Sequence, residues 1–398
     1  MNCPSASATP DSAPNASTRP LRVTLLLDTR AWAGTESHVL TLARALRDLS
    51  DPSGQREIEV TIAAPPDSPL WERARADQLP TIAIARRGAW DAGTLQTLTR
   101  RLRRGACDVL HAHNGRTALW GALAAKGARR GAGVFTHHFI EPAHAQSGGA
   151  AGALKKGVHG RLARAIAEHI AISQAVAQAV LGRGEVEAAR LTVVPNGITA
   201  PKSVAGEAEL PPALRADIAC VARLEQEKDL PTLVRAMALL QTQRPDAPPR
   251  CVIAGEGDER AALEALIEEQ SAGAVVHLAG FTPFVPAILE AARACVLPSP
   301  AEPFGLALVE AMAHRRAVVA VDQGGPREIV VPGTTGLLVP PGDAPAMGRA
   351  LAELLDDPDR ARHMGEAGFE RFQNHFTAAR MARQTLEVYR RACGFGDV

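Results

Sequence analysis

Short apolar runs alternate with stretches of helical periodicity along almost the whole chain, and this alternation restricts the fold more than any other feature. The predicted strands lie at 21–28, 57–64, 81–85, 108–112, 133–137, 168–172, 191–195, 217–222, within 250–257, and at 275–281, 294–297, 318–321 and 336–339. Strands that alternate with helices form parallel sheets with helices on both faces. The sequence therefore predicts a doubly wound α/β fold, and 398 residues are enough for two such domains.

The composition disfavours several classes of protein. The formal net charge is +1, so no overall field attracts nucleic acid or an anionic membrane. No apolar run approaches the ~20 residues of a membrane span. The six cysteines form no C-x-x-C pair, which disfavours zinc and disulfide frameworks and fits a reduced cytosol. Residues 1–19, rich in Ser, Ala and Pro, predict a disordered tail rather than a signal peptide.

The segment 298–313, PSPAEPFGLALVEAMA, carries the strongest indication of chemistry. It follows the buried run 294–297 and leads through a Ser/Pro-rich turn into an apolar helix. A helix that begins at the carboxyl end of a parallel strand directs free backbone N–H groups into a crevice, where anions bind. Glu302 lies in the turn and Glu310 inside the helix. Spacing alone leaves a second interpretation open, in which these carboxylates only cap the helix or form salt bridges.

This segment also resembles a known signature. The sequence E-P-F-G-L-A-L-V-E, from Glu302 to Glu310, is similar to the E-x7-E motif of retaining glycosyltransferases of family 4, and the intervening Pro, Phe and Gly agree as well. The resemblance implies the GT-B fold, in which two Rossmann-like domains face each other across a cleft and a C-terminal helix crosses back to the first domain. The implied divisions are a tail at 1–19, an acceptor-side domain at 20–199, a linker at 200–215, a nucleotide-sugar-binding domain at 216–375 and the returning helix at 376–398.

Two cations precede a predicted helix in the second half of the chain. Arg223 and Lys228 lie in the loop after the strand at 217–222, and Asp229 is the predicted N-cap of the helix. A guanidinium fork and a compact ammonium beside a helix start suit a diphosphate, although the spacing alone equally allows a charged surface loop. The segment resembles the R-L-x-x-x-K-D motif of family 4, which implies the diphosphate site. Lys228 is also the only lysine after Lys202.

A small-residue loop, Ala33-Gly34, opens the first predicted helix. Such a loop allows close approach of a phosphate or a sugar, but a plain tight turn has the same composition. The loop resembles the G-G-x-E segment of family 4, with Ala33 in place of the first glycine. The resemblance implies that Gly34 contributes to donor binding.

A second glycine turn, Gly255-x-Gly257, begins like a dinucleotide fingerprint but has Arg260 at the third glycine position, which disfavours NAD. In family 4 this turn lies beside the nucleotide. The loop that contains Phe281 and Thr282 borders the base in that family. Backbone contacts there would tolerate either uracil or guanine, so the sequence does not choose between them.

Histidines cluster at two predicted strand ends of the first half. His111 and His113 follow one strand, and His137 and His138 follow the next. No third acidic or thiol ligand recurs at metal spacing, so we expect polar strand-end residues that are hydrogen-bonded to the backbone rather than a metal site. The T-x-H sequence that ends at His138 resembles the family position whose histidine contacts the donor sugar, which implies that role for His138.

The resemblance implies a retaining hexosyltransferase that uses a UDP- or GDP-sugar, acts on a glycan, lipid-linked or small-molecule acceptor, and needs no metal. The implied catalytic residues are His138, Glu302, Arg223 and Lys228. The implied donor-binding residues are Gly34, Arg223, Lys228, Gly255, Phe281, Thr282, Phe304, Gly305, Leu306 and Glu310.

Other classes of protein remain open. A GT-B epimerase or phosphorylase would share the fold, although a phosphorylase binds pyridoxal phosphate on a lysine, and the only lysine of the implied second domain lies in the diphosphate motif. A non-catalytic protein would bind a nucleotide sugar without turning it over.

Two further segments bear on partners and metals. The basic segment 145–167 predicts a helix that is either solvated or lies on an anionic bilayer. Because many relatives use lipid-linked acceptors, contact with the inner membrane face is a hypothesis for this otherwise cytoplasmic protein. Asp357-x-Asp359 has the D-x-D form of metal-dependent transferases, but its position between two predicted surface helices indicates a helix boundary.

Overall fold

The structure is a computed structural model that describes residues 19–84, 91–141, 163–201 and 210–395. Three regions interpreted from the sequence lie wholly or partly outside these ranges. They are the predicted tail, most of the basic segment 145–167, and residues 202–209 of the predicted linker.

Within the part of the chain that the structure describes, seven parallel strands form the first sheet, in the order β3-β2-β1-β4-β5-β6-β7. The strands are β1 Leu21–Leu26, β2 Ile58–Ala64, β3 Thr81–Ala83, β4 Val109–Ala112, β5 Ala132–His137, β6 Glu168–Ala171 and β7 Leu191–Val193. The described helices between them are α1 Gly34–Arg47, α2 Pro69–Ala76, α3 Ala92–Arg103, α4 Gly115–Ala128 and α5 Gln174–Gly182.

Six parallel strands form the second sheet, in the order β10-β9-β8-β11-β12-β13. The strands are β8 Ile218–Val221, β9 Cys251–Ala254, β10 Val276–Gly280, β11 Ala294–Leu297, β12 Ala317–Val321 and β13 Gly336–Val339. The helices that follow them are α6 Leu230–Gln243, α7 Arg260–Glu269, α8 Val285–Ala291, α9 Leu306–Ala313, α10 Pro326–Ile329, α11 Ala344–Asp356, α12 Pro358–His375 and α13 Ala378–Ala392.

The apolar runs of the sequence are strands buried on both faces, as predicted. Every residue of β11 and β12 is buried, because helices cover both sides of the sheet. Strand order reverses between β1 and β4 in the first sheet and between β8 and β11 in the second. In sheets of this kind, ligands bind beyond the carboxyl ends of the strands at such a reversal. The fold therefore points to the loops that follow these four strands.

The last helix, α13, returns to the first domain, as the resemblance implied. It packs against α1, and its Met381, Leu386 and Val388 join the apolar core of the first sheet. Tyr389 is fully buried in the same cluster. The first domain is thus completed by a segment from the far end of the chain.

Two direct contacts join the domains at the start of α5. The hydroxyl of Ser173 donates to the Pro303 carbonyl at 2.6 Å. The carboxylate of Glu328, on α10, accepts hydrogen bonds from the backbone N–H groups of Gln174 and Ala175, each at 2.7 Å. A carboxylate from one domain therefore caps a helix of the other, where the helix dipole favours negative charge.

Two aspartates stand at helix N-caps in the second domain, as the sequence predicted, but only one of them makes a capping hydrogen bond. Asp357 caps α12 by accepting from the Arg360 N–H at 2.9 Å, so the D-x-D sequence is a helix boundary, as predicted. Asp229 stands at the N-cap of α6, but its side chain makes no capping bond to the backbone. It accepts instead from the Thr232 hydroxyl at 2.8 Å.

No helix within the described ranges combines the length and apolarity that crossing a bilayer requires.

Candidate active site

A cavity of about 1280 Å³ lies between the two domains. The loops after β1, β4 and β5 line it on the side of the first domain, and the loops after β8 and β11 line it on the side of the second. Its volume exceeds the ~300–1,000 Å³ of an ordinary small-molecule pocket. The cavity is therefore large enough for more than one small molecule.

Lys228 and Glu302 form the central contact of the second-domain wall. Lys228 Nζ lies 2.7 Å from Glu302 Oε2, and the two side chains are 15% and 13% exposed. Glu302 follows β11 in a loop that leads to Gly305, the N-cap of α9, which has a φ of +111° that favours glycine. Burial strengthens the Coulomb attraction between the two charges and also removes both from water, and both residues line the cavity.

Glycines hold the Glu302 loop against the turn after β12. The N–H of Gly325 donates to the Glu302 carbonyl at 2.9 Å. A Cβ on Gly325 would overlap the backbone of Phe304. This close approach of two backbones fixes the loop between β11 and α9, and with it the direction in which the Glu302 side chain leaves the chain.

Arg223 also lines the cavity, but it is half exposed and bound to acidic neighbours. Its guanidinium lies 2.6 Å from Glu227 and 3.4 Å from Glu225. These contacts are weak because water screens them. A more highly charged anion that entered the cavity could replace them.

Glu310 lies inside α9, one turn beyond the cavity wall. No hydrogen bond or ion pair to its carboxyl group is found among the described residues, and burial raises the pKa of Glu310 to about 7. The sequence singled this residue out because it interrupts an apolar helix. The raised pKa and the lack of a polar partner among the described residues confirm that Glu310 is not an ordinary surface charge.

On the first domain, the loop that begins α1 approaches the start of α9. A Cβ on Gly34 would lie 3.8 Å from the Leu306 side chain, so the two helix starts almost touch. Glu36, which the sequence analysis did not single out, is buried and accepts from the Ala33 N–H at 2.9 Å and from the Thr29 hydroxyl. Glu36 therefore shapes the Gly34 loop as a capping-box residue.

The histidines at the carboxyl ends of β4 and β5 are buried, and most are paired. His111 bonds to the Tyr389 hydroxyl and to the Thr136 hydroxyl, both at 2.7 Å. His137 Nε2 lies 3.1 Å from His169 Nδ1. These residues are hydrogen-bonded, as expected, but their partners here are side chains of neighbouring elements and not the backbone that the sequence led us to expect.

A different group of histidines, His38, His113 and His138, comes together beside them. His113 Nδ1 lies 3.2 Å from His138 Nε2. His38, on α1, adds a third ring at 4.9 Å between centroids from His138. Burial lowers the pKa of His38 to about 4, and burial with mutual repulsion lowers the pKa of the other two well below the usual value. The sequence analysis missed His38, which looks like any other position of an amphipathic helix.

An acidic residue at the end of β1 was also missed. Asp28 is buried and accepts from the Asn114 side chain at 2.6 Å and from Arg116 at 2.8 Å. Asn114 and Arg116 line the cavity on its first-domain side. The guanidinium of Arg116 is held in place by a buried carboxylate, so it presents a fixed cation to that wall.

The structure brings eight of the predicted site residues to the cavity and leaves four outside its lining. Those on the wall are Gly34, His138, Arg223, Lys228, Glu302, Phe304, Gly305 and Leu306. The residues outside are Gly255, Phe281, Thr282 and Glu310. Gly255 donates to the Gly280 carbonyl at 2.9 Å beside the end of β9, and the Phe281 side chain is 78% exposed.

Two glycosyltransferase family models match the chain, one on each domain. The model described as Glycosyltransferase Family 4 matches residues 32–200, and the model described as Glycosyl transferases group 1 matches residues 208–371. Two facing α/β domains with a cavity between them are the GT-B architecture. The chain belongs to these glycosyltransferases, and the two matches together take in most of its length.

Curated relatives match over parts of their length. Alpha-D-kanosaminyltransferase of Streptomyces kanamyceticus is 36% identical over 148 residues, which are 37% of this chain and 38% of the relative. Alpha-maltose-1-phosphate synthase of Mycolicibacterium smegmatis is 50% identical over 110 residues, which are 26% of this chain and 28% of the relative. The matches thus span less than half the length of these relatives.

Solved structures match over nearly the whole chain. HepE from Anabaena, solved in complex with UDP and glucose, has a TM-score of 0.77 at 22% identity, covering 92% of this chain and 98% of that one. Sucrose-phosphate synthase from Thermosynechococcus elongatus has a TM-score of 0.71 at 24% identity, covering 94% and 100%. At this level of identity the likeness establishes the fold.

Proposed function

We propose that the protein is a retaining glycosyltransferase of family 4 that transfers a hexose-type sugar from a UDP- or GDP-sugar to an acceptor hydroxyl. The observation that carries the proposal is the 2.7 Å contact of Lys228 Nζ with Glu302 Oε2 on the cavity wall, close to the start of α9. A cation, a carboxylate and a helix N-terminus at one point suit a diphosphate that is joined to a sugar.

The diphosphate would be held by Lys228, Arg223 and the backbone N–H groups at the start of α9. As the bond between the sugar and the phosphate breaks, negative charge grows on the leaving oxygen. Preorganised cations and backbone dipoles stabilise that charge. Since they supply positive charge at that oxygen, we propose that donor binding needs no divalent metal there.

The nucleoside would lie against α9 and the turns after β9 and β10. Glu310 is four residues beyond Leu306 and therefore on the same face of the helix, from which its carboxylate can accept hydrogen bonds from ribose hydroxyls. Gly255, Phe281 and Thr282 would border the base, where the exposed Phe281 ring offers a surface for stacking. HepE was solved with UDP and with UDP-glucose, which supports a donor of this class.

The reacting sugar would lie between Glu302 and His138. Glu302 binds sugar hydroxyls, and the neutral His138 hydrogen-bonds another hydroxyl because its low pKa leaves a lone pair free at neutral pH. The bond from C1 to the phosphate oxygen breaks, and the acceptor oxygen bonds C1 on the same face. The acceptor proton passes to the leaving phosphate oxygen, so the configuration is retained without an enzymatic nucleophile.

The acceptor would enter along the first-domain wall, near Arg116. Relatives whose names specify a product differ widely, from an aminosugar transferase to a maltose-1-phosphate synthase, so the acceptor is proposed only as a glycan, a lipid-linked glycan or a small molecule.

We propose a cytoplasmic location, supported by free cysteines at all five described positions, with peripheral contact to the membrane through segment 145–167.

A thermal-shift screen tests the donor site. UDP, GDP, ADP and their sugars are added to the full chain, each with and without EDTA. We expect one nucleotide family to raise Tm equally in both conditions, and we expect Lys228→Met to abolish the shift while Lys126→Met, an exposed control, keeps it. No shift with any nucleotide, or a shift that EDTA removes, contradicts the proposed site.

Turnover separates the remaining classes of protein. We expect nucleotide release to depend on an added acceptor, and we expect Glu302→Gln to slow it. Conversion of the nucleotide sugar without an acceptor would instead indicate an epimerase. Binding without any turnover, unchanged by Glu302→Gln, would indicate a non-catalytic binding protein.

A further inference from the structure

Three histidines from three separate segments converge at one point of the first domain. His38 lies on α1, His113 follows β4, and His138 follows β5. All three are buried, with exposed fractions of 6%, 1% and 7%. His113 and His138 line the interdomain cavity, whereas His38 lies behind them.

The ring nitrogens are close enough to share one ligand. One nitrogen of each ring lies within 4.8 Å of a nitrogen of each of the other two. The His113–His138 pair, at 3.2 Å, matches the spacing of about 3.3 Å that two ligands have around a tetrahedral ion with bonds of about 2.0–2.1 Å. The ring of His38, 4.9 Å between centroids from that of His138, offers the third nitrogen.

Several of these nitrogens have no hydrogen-bond partner among the described residues. Both nitrogens of His38 and Nε2 of His113 are buried and unpaired. The Asn196 side chain is near enough to raise the pKa of His38 through a hydrogen bond, and its own Oδ1 has no closer partner. One bound ion would take one nitrogen of each ring, so it would pair one of the two His38 nitrogens and Nδ1 of His113, the atom that faces His138.

We propose that His38, His113 and His138 form a site for one transition-metal ion of the zinc class. Imidazole nitrogens suit Zn²⁺, Cu²⁺ and Ni²⁺, whereas Mg²⁺ and Ca²⁺ require oxygen ligands, and this group offers none. Three protein ligands leave the fourth position of a tetrahedral ion open, as in catalytic zinc sites. Because His113 and His138 line the cavity, a water or a substrate hydroxyl can reach that position.

This site shares His138 with the proposed sugar contact, but it shares no residue with the proposed diphosphate site. Lys228, Arg223 and the start of α9 belong to the second domain, and none of them lies in the histidine group. Metal uptake therefore depends on the first domain alone and can be measured without any nucleotide. A failure of the metal site would leave the nucleotide-dependent thermal shift intact, and the reverse also holds.

The test uses the full chain, stripped with a chelator and then freed of it. Titration with Co²⁺ is expected to give one ion per chain, with the intense visible absorption of a tetrahedral nitrogen site. Zn²⁺ should bleach that absorption, and Mg²⁺ should leave it unchanged. His38→Gln is expected to weaken Co²⁺ binding at least 10-fold, whereas His169→Gln, a buried control that pairs with His137 outside the group, should leave it unchanged.

Several outcomes would overturn the proposal. They are the absence of stoichiometric Co²⁺ uptake, uptake that His38→Gln does not weaken, and equal weakening by His169→Gln. If His38→Gln does not fold, X-ray absorption of the wild-type chain loaded with Zn²⁺ decides the question. Three imidazole nitrogens at about 2.0–2.1 Å support the site, and fewer than three refute it. If nucleotide sugars but not Co²⁺ bind, the unpaired nitrogens serve sugar hydroxyls instead.

Discussion

The ammonium of Lys228 lies 2.7 Å from the carboxylate of Glu302, although 74 residues separate them in the chain. The loop after β8 supplies the first and the loop after β11 supplies the second, and these strands are neighbours at the reversal of the second sheet. The lysine is thereby held beside the start of α9 before any donor arrives. Preorganisation of this kind removes the cost of moving the charge during reaction.

Replacing Lys228 should slow sugar transfer strongly. We expect Lys228→Met to lower kcat by about 10²–10³-fold, because a cation beside the leaving phosphate is lost. Lys228→Arg should recover part of the rate, and the exposed Lys126→Met should change nothing. Steady-state kinetics with saturating acceptor measure the effect, and a loss of less than about threefold would show that Lys228 does not contact the diphosphate.

Replacing Glu310 should stabilise the free protein at high pH. The pKa of Glu310 is raised from 4.5 to about 7, so the folded chain holds a proton that the unfolded chain releases at lower pH. This contribution to stability is complete below pH 4.5 and is lost as the pH rises through 7. At pH 8 the charged carboxylate lies in a half-buried position that disfavours its charge, and Glu310→Gln should raise the free energy of unfolding by about 1–3 kcal/mol.

Urea unfolding at pH 5 and pH 8 measures this difference. The variant and the wild type should be similar at pH 5 and should diverge at pH 8. Glu264→Gln, an exposed helical control, should show no such divergence. If Glu310→Gln also weakens nucleotide binding, the same carboxyl group lowers stability and supports function. Equal stabilities at both pH values would mean that Glu310 is solvated.

Removing an acidic neighbour of Arg223 should strengthen nucleotide binding. Glu227 holds the Arg223 guanidinium at 2.6 Å and lines the cavity, so it competes with an incoming diphosphate. An exposed pair of this kind is worth about 0.2–1 kcal/mol, which corresponds to a gain in affinity of up to about fivefold for Glu227→Gln. Calorimetric titration with UDP or GDP measures it, and weaker binding would mean that Glu227 itself contacts the ligand.

Removing the cross-domain cap should loosen the closed arrangement. Glu328→Ala deprives the first turn of α5 of a carboxylate that accepts two backbone N–H groups, which should cost about 1 kcal/mol. Small-angle scattering should then report a larger radius of gyration in the free protein. Asp322→Ala, which breaks the exposed contact with Arg327, is the control and should leave the radius unchanged.

Removing one hydroxyl should weaken the attachment of α13. Tyr389→Phe leaves Nδ1 of the buried His111 without its partner at 2.7 Å, which should cost about 1–3 kcal/mol in the free energy of unfolding. Thr385→Val is the matched change, since the hydroxyl of Thr385 bonds only to the Met381 carbonyl within α13. Denaturant midpoints compare the two, and equal losses would mean that the His111 contact contributes nothing specific.

The sequence was sufficient to predict the strands, because a short apolar run that is buried on both faces fits a central parallel strand and few other structures. Every residue of β12 is buried, and its five residues are all Ala or Val. Glu310 could also be singled out, because a lone carboxylate in an apolar helix is unusual at the level of sequence alone. In each case the information lies within about ten neighbouring residues.

The features that the sequence did not predict depend on contacts between distant segments of the chain. His38 occupies the inward face of an amphipathic helix, where a histidine looks like any other core residue until β4 and β5 bring His113 and His138 beside it. Glu328 lies just after a glycine-rich turn, and its bond to α5 exists because the two domains meet there. Neither contact follows from local propensity, since neither partner lies nearby in the chain.

The attachment of α13 to the first sheet has a consequence for synthesis of the protein. The ribosome must make all of the second domain between β7 and α13, which takes on the order of tens of seconds at ~5–20 residues per second. Throughout that interval the nascent first domain lacks Met381, Leu386 and Val388, and the apolar groove that they fill faces the solvent. This exposed groove makes the growing chain a client for chaperones and a hazard for aggregation, until the last helix emerges and closes it.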